Sequence, residues 1–586
     1  MTRTSHERSR GRLERLLKWV LLVIILVNLL LVVPARVSYI RLDLIDPSLP
    51  AISLEPLQLT NLAFIKRLLP QPGNSDSASA WAQPSAWIGP SATPTGEIAV
   101  TTGETAPPAT LPLQATSSIA PGTTASPTGT RLATMTPTPS PTATVTPTGL
   151  PSPSLTPSSA SPTASSEKTH YVAPKGDDSA PGTASQPWKT IQHAAAVMQP
   201  GDTTFVLAGD YSERVQVTRS GASGSPITFK AQGTVTMKGF TVKADYISII
   251  GFDISNTASS TNDAVGIYVL GSFCDIEDNY VHFATQGGIL LWANTGQYAK
   301  TSNCVVRNNR LYRNGMMGIS VMGQDHLVED NEIWGTIQYH PNWTNPPSWV
   351  DADGITFFGS GHVFRHNYIH DIHYGIPENP NPHIDCFQTY GGDKTAGHDI
   401  LFDGNYCDNP DTLPELSLAG KAFQVEGGSH DLVIRNNITI SNLVAIFNST
   451  HDITIINNTF FGNPNSEYSQ GIQMKDSPHF TIQNNIFAYQ ENGTGSISLD
   501  SASESGLKVG YNCVFRNSGD PARPPDPNDV WGLNPLFVNE DAGDFHLQSG
   551  SPCVDSGKDL GDSVRRDYDG KRRPQGSTYD IGAFEQ

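Results

Sequence analysis

The phrases GITFFG (Gly354–Gly359), CFQTYG (Cys386–Gly391) and AFQVEG (Ala422–Gly427) decide the fold, because they are copies of one recurring unit. Earlier copies are GIYVLG from Gly266, GILLWA from Gly288 and GISVMG from Gly318. Apolar and other residues alternate within each copy, which is the period of a strand with one buried face. The spacing of the copies, about 21 to 38 residues, is typical of a solenoid.

One apolar position of each copy is expected to stack on the next, because a single coil does not bury its apolar face alone. The predicted column is Ile267, Ile289, Ile319, Ile355, Phe387, Phe423, Ile446, Ile472 and Ile497. A second phrase ends in an Asn doublet or a variant of it, as in VVRNN to Asn309 and LVIRNN to Asn437. Asn tolerates left-handed backbone and bonds neighbouring amides, so an Asn ladder is expected at a turn. These patterns predict an all-β parallel β-helix.

The residues before about 169 are expected to lie outside this solenoid. A basic stretch at 1–18 precedes an uncharged run at 19–34, which indicates a single-pass membrane anchor, or a signal segment cleaved near Ala35. A juxtamembrane segment, 35–70, leads into a Pro/Thr/Ser-rich linker, 71–168, whose composition predicts disorder. The chain is therefore expected to be exported, with its β-helix domain, 169–586, outside the cell.

Both ends of the solenoid need cover, because an open end exposes apolar side chains and unpaired strand. A helix predicted at Trp188–Met198 is expected to cap the first coil, and the last stretch, from Asp567, is expected to close the other end. With its opening phrase, its coils and the closing YDIGAFEQ, the chain resembles exported bacterial right-handed parallel β-helix proteins of the pectate-lyase-like superfamily. The resemblance covers roughly His170 to Gln586. It implies a right-handed fold and leaves activity open, because that superfamily includes lyases, hydrolases, epimerases and adhesins.

The net charge of the chain limits the partners that it is expected to bind. The net charge of −19 argues against nucleic acid, whereas a polysaccharide, including a uronate-containing one bound locally, stays open. The chain is expected to be a monomer.

Six cysteines in an exported chain permit disulfides. Cys274 and Cys304 should stack on adjacent coils, either bonded or as two buried thiols, and the other four show no obvious pairing. Six histidines are expected to form one structural column at a turn: His326, His362, His398, His430, His451 and His479.

Three consecutive coils carry insertions, at 335–350, 375–382 and 408–420. Insertions in a solenoid become loops on one face, often the binding face. Trp343 and Trp349 lie in the first insertion, and their flat apolar rings with a polar edge suit contact with sugars.

After each insertion comes a charged residue, two positions before the stacked apolar residue: Asp353, Asp385 and Lys421. Strict alternation would point these side chains into the coil, where an unpaired carboxylate is costly. We therefore expect the strand to begin after them, so that they emerge at the turn, with the two aspartates about 5 Å apart. Outward positions on the same coils are predicted to bind substrate: Gln388, Tyr390, Gln424 and Glu426.

Two chemistries fit this predicted cluster. Paired carboxylates at such a distance suit a glycoside hydrolase. DADGI at Asp351–Ile355 and DCF at Asp385–Phe387 resemble acidic motifs of polygalacturonases, which implies that Asp353 and Asp385 are catalytic.

The second chemistry is β-elimination from a uronate. Asp351, Asp353 and Asp385 would hold Ca²⁺ as the cofactor, and Lys421, or His383, would be the base. A non-catalytic carbohydrate-binding or adhesive surface protein is the alternative to both enzymes.

Overall fold

The computed structural model describes residues 39–40, 52–53, 168–255, 264–292, 301–338, 351–372, 383–391, 396–409, 420–462, 469–490, 495–516 and 525–586. The chain divides into two compact units, Met1–Gln83 and Pro84–Gln586. In the first unit, the strands Tyr39–Ile40 and Ile52–Ser53 pair antiparallel. The predicted membrane segment, 19–34, and the linker, 71–168, lie outside the described residues apart from Lys168. No helix in the described ranges has the length and apolar character of a membrane span.

The second unit contains one continuous sheet of 35 strands, in which successive coils pair in parallel. Each complete coil supplies three strands, and these form three faces. The first face contains Arg214–Val217, Gly239–Val242, Ile267–Val269, Ile289–Leu291, Met317–Gln324, Ala352–Ser360, Ile384–Thr389, Lys421–Glu426, Leu443–Asn448, Gln470–Lys475 and Ile497–Leu499. The predicted parallel β-helix is thus the observed architecture.

The second face contains Thr169–Val172, Thr203–Asp210, Ile227–Met237, Ile247–Ile250, Asp275–Glu277, Val305–Arg307, Leu327–Glu329, Val363–Arg365, His398–Asp403, His430–Arg435, Thr454–Ile456, Thr481–Gln483 and Lys508–Gly510. The third face contains Asp253–Ser255, Tyr280–His282, Arg310–Tyr312, Glu332–Trp334, Tyr368–His370, Tyr406–Asn409, Ile438–Ser441, Thr459–Phe461, Ile486–Ala488, Cys513–Phe515 and Val530–Trp531. Beyond the coils, Phe537–Asn539 pairs antiparallel with Asp544–Leu547, and short 3-10 turns occupy Glu540–Ala542 and Gly561–Val564.

The predicted apolar column exists, with one error. Strand pairing aligns its members from Ile267 to Phe423, but the next member is Ala445. Ile446 instead aligns with Gln424 on the outer side, and Phe447 is fully buried in the core. The prediction began the phrase AIFNST at Ala445, which put Ile446 in the column, whereas the strand places Ala445 beside Phe423.

The Asn ladder is the turn between the second and third faces. The side-chain amide of Asn405 donates to Asn437 Oδ1 (2.9 Å), and the amide of Asn437 donates to Asn458 Oδ1 (3.0 Å). The same oxygens accept backbone N–H groups, so buried polar groups at each turn are paired. The residue before the ladder Asn takes the left-handed conformation, as at Asn436 (φ 55°) and Gly404 (φ 68°). The first residue of the doublet therefore makes the turn, and the second bonds along the stack.

The N-terminal helix is shorter than predicted and runs over Ile191–Val197. Thr190 is its N-cap, because its hydroxyl accepts from the His193 N–H at 3.1 Å. Ile191 and Ala194 join the core cluster of the first coils, together with Val215. The helix therefore covers core residues at the start of the solenoid.

The C-terminal segment, residues 553–586, differs from its prediction. It packs along the side of successive coils: Arg573 donates to Asn436 Oδ1 (3.3 Å), Asn457 donates to Asp580 O (2.9 Å), and Gly582 N–H donates to Asn484 O (2.8 Å). This places a second apolar cluster between the segment and the outer side of the third face.

The structure also shows how the cysteines and histidines are arranged. Cys274 and Cys304 are buried free thiols, whereas Cys386–Cys407 and Cys513–Cys553 are disulfides. The histidines form two columns, because the register aligns His398 with Ser360 rather than with His362. His326 and His362 are buried and stacked, while His398, His430 and His451 stack at the surface.

Candidate functional site

Three adjacent strands of the first face bring the predicted charged residues together. Asp353 pairs in register with Asp385, and Asp385 pairs in register with Lys421. Lys421 Nζ lies 3.0 Å from Asp385 Oδ1. We call these three residues the Asp–Lys cluster. Their exposed fractions are only 2% for Asp353, 0% for Asp385 and 6% for Lys421.

The cluster lies within the strands, not before them as predicted. Ile384, Cys386 and Phe387 all belong to the core cluster, so two successive residues point inward and alternation breaks once. Asp385, between Ile384 and Cys386, consequently faces outward together with Gln388. The strand thus includes the aspartate without pointing it into the coil interior, although its side chain remains buried.

Small residues permit this break. In the neighbouring coils, a Cβ added at Gly318 would lie 2.3 Å from the Ile333 side chain, and one at Gly354 would lie 2.5 Å from Ile369. The position faces the third face across the coil at a distance that excludes large side chains. Cys386 and Ala422 occupy the same column. The repeated small residue that begins each phrase was the sequence signal for the break.

A disulfide at this position escaped sequence reasoning. Cys386 on the first face bonds Cys407 on the third face of the same coil, with a Cα–Cα distance of 6.1 Å. The bond crosses the coil directly beside Asp385. The signal available was that Cys386 stands in the small-residue column opposite a third-face strand.

Partly exposed residues border the cluster. The Asp351 and His383 side chains keep 24% and 32% exposure, and we call them the rim together with Tyr390 and Glu426, which are also partly exposed. Asp351 Oδ1 accepts from the His383 backbone N–H at 2.9 Å.

Gln388 links these rim groups. Its Nε2 lies 2.8 Å from His383 Nδ1 and 3.4 Å from Asp351 Oδ2. One coil further, Gln424 Nε2 donates to Glu426 Oε1 at 2.7 Å. Gln388 and Gln424 are themselves buried, so the predicted substrate-binding amides form the floor beside the cluster.

Burial and charge divide the acids of the site. Burial raises the pKa of Asp353 well above its usual range, and the Asp351 and Asp385 carboxylates raise it further. Burial also raises the pKa of Asp385, but the Lys421 ammonium opposes that rise. Two adjacent carboxyl groups therefore have environments that push their proton affinities apart.

The rim groups shift in the same sense, towards their neutral forms. Burial raises the pKa values of Asp351, Glu426 and Tyr390. Burial lowers the pKa of His383 to about 4, with a further contribution from Lys421. His383 is consequently neutral at neutral pH.

Unpaired acceptors line the floor. Asp353 Oδ1, Asp385 Oδ2, Gln388 Oε1 and Gln424 Oε1 are buried and have no hydrogen-bond partner in the structure. Buried polar atoms are nearly always paired, so an unpaired group calls for a functional explanation. These four buried oxygens lie on three adjacent strands of the first face.

The predicted calcium set does not fit this geometry. Asp351, Asp353 and Asp385 are all described, yet no group of three or more His, Cys, Asp or Glu in the described ranges is arranged to hold a metal ion. Lys421 already neutralises Asp385, and Asp351 is bonded to His383 N–H. Trp343 and Trp349 lie outside the described residues, so their predicted role stays a prediction.

Comparison with known families identifies the class of fold. Residues 170–325 match the family model described as "Pel9A-like, right handed beta helix region". This part of the chain thus matches a right-handed β-helix, in agreement with the fold that the resemblance implied. The match ends before Asp351, so it covers the scaffold and not the cluster.

Individual proteins are also similar to this chain. YwoF of Bacillus subtilis (strain 168), described as an uncharacterized protein, is 34% identical over 130 residues, which are 19% of this chain and 28% of YwoF. The chain thus spans about a quarter of the curated relative it matches. Among solved structures, pectate lyase Pel9A is 17% identical (TM-score 0.43, 72% of this chain and 96% of that chain). A XylC complex with xylose is 14% identical (TM-score 0.46, 71% and 99%). Because these identities and TM-scores are low, the two structures support no conclusion about activity.

Proposed function

We propose that the protein is a polysaccharide-cleaving enzyme whose active centre is the Asp–Lys cluster. The observation that carries this proposal is the in-register pair Asp353 and Asp385, with Lys421 3.0 Å from only the second carboxylate. Two carboxyl groups held in different protonation states are the requirement of glycoside hydrolysis. A merely structural ion pair would not need the third, unpaired acid.

Each residue then has a role. Asp353, kept protonated by burial and by its acidic neighbours, gives its proton to the glycosidic oxygen as the bond from that oxygen to the anomeric carbon breaks. Asp385, paired with the Lys421 amino group at 3.0 Å, forms an ester bond to the anomeric carbon. Water then cleaves this ester, and the Asp353 carboxylate takes the proton from the water. In-register strands are about 4.8 Å apart, and a carboxyl separation near 5 Å favours retention of configuration.

Substrate binding has support in the floor. The unpaired oxygens of Gln388 and Gln424 face the same side as Asp353 and Asp385, and sugar hydroxyls are suitable donors to them. Because Asp353 and Asp385 are buried, a substrate reaches them past the rim residues Asp351, His383, Tyr390 and Glu426.

β-Elimination is a second candidate, favoured by His383. This side chain is partly exposed, lies beside the cluster and is neutral above a pKa of about 4, which is the state that a general base needs. Lys421 is a weaker candidate for the base, because its amino group is already paired with the Asp385 carboxylate at 3.0 Å.

Product analysis separates these functions. The full-length protein is incubated with a panel of neutral and uronate polysaccharides, and reducing ends and ultraviolet absorbance are measured. New reducing ends without absorbance are the expected result, and NMR of early products should show retained configuration. Unsaturated products would favour the lyase, and binding without any cleavage would favour the carbohydrate-binding alternative.

We also propose that the chain acts outside the cell as a monomer, anchored by segment 19–34 or secreted. The two disulfides support this location, because disulfides persist in oxidising compartments. Protease accessibility of the β-helix domain on intact cells would test it.

A further inference from the structure

The surroundings of the Asp–Lys cluster indicate which sugars it accepts. This inference rests on the proposed function, because it concerns the sugar unit bound at the same cluster. The decisive features are the charge of the side chains on the outer side of the first face and the kind of hydrogen-bonding atom that each presents.

Cations that could hold a sugar carboxylate are already committed. On the three coils of the cluster, within the described ranges, the Lys and Arg residues are Arg365, Lys421 and Arg435. Arg365 pairs with Glu329 and Arg435 with Asp403, both on the second face. Lys421 is buried against Asp385. A uronate carboxylate at the cluster would therefore find no uncommitted lysine or arginine among these residues.

The rim adds acid instead. Asp351 and Glu426 flank the cluster on either side, and both carry carboxyl groups that an acidic sugar would have to approach. The next cation along the face is Lys475, two strands beyond Glu426, which corresponds to about 10 Å. A like charge brought into a partly desolvated site is costly, because the surrounding protein screens it poorly.

Acceptor oxygens dominate the floor in the same way. The unpaired atoms of Asp385, Gln388 and Gln424 are all oxygens. Hydroxyl groups of a sugar donate to such atoms, whereas a carboxylate only accepts and would leave them unpaired. The charges and the hydrogen-bonding atoms of the site thus both disfavour a carboxylate on the bound sugar.

We propose that the sugar unit bound at the Asp–Lys cluster carries no carboxylate, so that the substrate is an uncharged glycan rather than a polyuronate. A β-elimination that starts from a uronate is then disfavoured at this site. The family name of the scaffold does not bear on this point, because the matched region ends before the cluster.

The test measures binding separately from cleavage. The full-length Asp353→Asn variant, which keeps the Lys421–Asp385 pair, is titrated at neutral pH with neutral polymers (xylan, galactan, arabinan and β-glucan) and with polygalacturonate and alginate. Fully methyl-esterified homogalacturonan and its de-esterified form add a pair that differs only in the carboxylate. We expect binding to at least one neutral polymer, and at least tenfold weaker binding of the de-esterified form than of the esterified form.

Specific outcomes overturn the inference. Polygalacturonate or alginate bound as tightly as any neutral polymer would do so, as would failure of every neutral polymer to bind. If the wild-type protein binds a neutral glycan without cleaving it, the proposed enzyme activity fails while the inference about charge stands. Cleavage of a polyuronate by the wild-type protein has the reverse meaning.

Discussion

The first and third faces of the same coils share an inner side and differ on the outer side. On the first face, the outward residues Asp353, Asp385 and Lys421 are charged yet almost fully buried. On the third face of these coils, the outward Tyr368 and His370 stack at 4.2 Å, and Tyr368 remains 38% exposed. The inner side determines register by apolar packing, which leaves the outer side of each face free to carry its own chemistry.

Further along the third face, the outer side is covered by the chain itself. Ile438, Phe461 and Ile486 there pack with Ile581 and Phe584 of the C-terminal segment. The contacts of this cover are mainly apolar, whereas the first-face cluster brings three charged side chains together on adjacent strands. The difference teaches that apolar cover stabilises this solenoid, whereas a buried group of charged side chains on one face marks a candidate site.

The largest effect is expected when a charged side chain of the Asp–Lys cluster is made neutral. Asp385→Asn should lower kcat/KM on the cleaved glycan by about 10²- to 10⁴-fold, because the ionised carboxylate of the proposed mechanism is lost. Kinetics on purified protein, with circular dichroism to verify the fold, measure this. Asp399→Asn is the matched control: Asp399 lies on the same coil, exposed near the start of the second-face strand His398–Asp403, with a φ of 54° that Asn accepts. This variant should leave kcat/KM unchanged. Wild-type activity in Asp385→Asn would remove this residue from the mechanism.

The covered third face depends on a buried ion pair in the C-terminal segment. Arg573 Nη1 lies 2.7 Å from Glu585 Oε1, and both side chains are fully buried. Arg573→Met should lower the free energy of unfolding by about 3 to 5 kcal/mol, because a buried carboxylate loses its partner. Denaturant unfolding measures the loss. The exposed neighbour is the control, and Arg572→Met should change stability by no more than about 0.5 kcal/mol. Equal losses in the two variants would contradict a specific role for the pair.

The Asn ladder borders the third face, because it lies at the turn between the second and third faces of successive coils. Asn437→Ala removes bonds to Phe402 O (3.0 Å) and Asn458 Oδ1 (3.0 Å), and leaves the buried Asn405 N–H without its acceptor. We expect a loss of about 1 to 3 kcal/mol in the free energy of unfolding. Asn528→Ala, at an exposed turn, should be close to neutral. An unchanged midpoint for Asn437→Ala would mean that the ladder adds nothing to stability.

The smallest expected effect separates function from stability at the cluster itself. The folded-state pKa of Asp353 is raised, so its ionisation costs stability as pH rises from the unfolded value through the folded one. Asp353→Asn removes that cost. The variant should be inactive yet melt higher than wild type at neutral pH, by on the order of 2 °C. The difference should vanish in acid, where Asp353 is protonated in both states. Thermal unfolding across pH tests this, and a variant that melts lower at neutral pH would contradict it.

There is a physical reason why the sequence patterns located some residues correctly. The apolar column, the Asn ladder and the charged position of three adjacent coils are repeats, and a repeat identifies equivalent positions without knowledge of their orientation. The column was wrong at Ile446 because that phrase was aligned one residue out of register with the preceding coil. The Cys386–Cys407 bond was missed because it joins two faces of one coil, whereas the pattern compares one face between coils.

The amino-acid sequence by itself determined the stacked parallel coils and the neighbouring positions of Asp353, Asp385 and Lys421, because a period-two pattern repeated along the chain has few ways to bury its apolar side. Only the tertiary structure decided which way those side chains point and how they pair. Their outward direction follows from two successive inward residues, Cys386 and Phe387, that pack across the interior. The pairing of Lys421 with Asp385 rather than Asp353 is likewise a matter of neighbouring strands, which no single stretch of the chain contains.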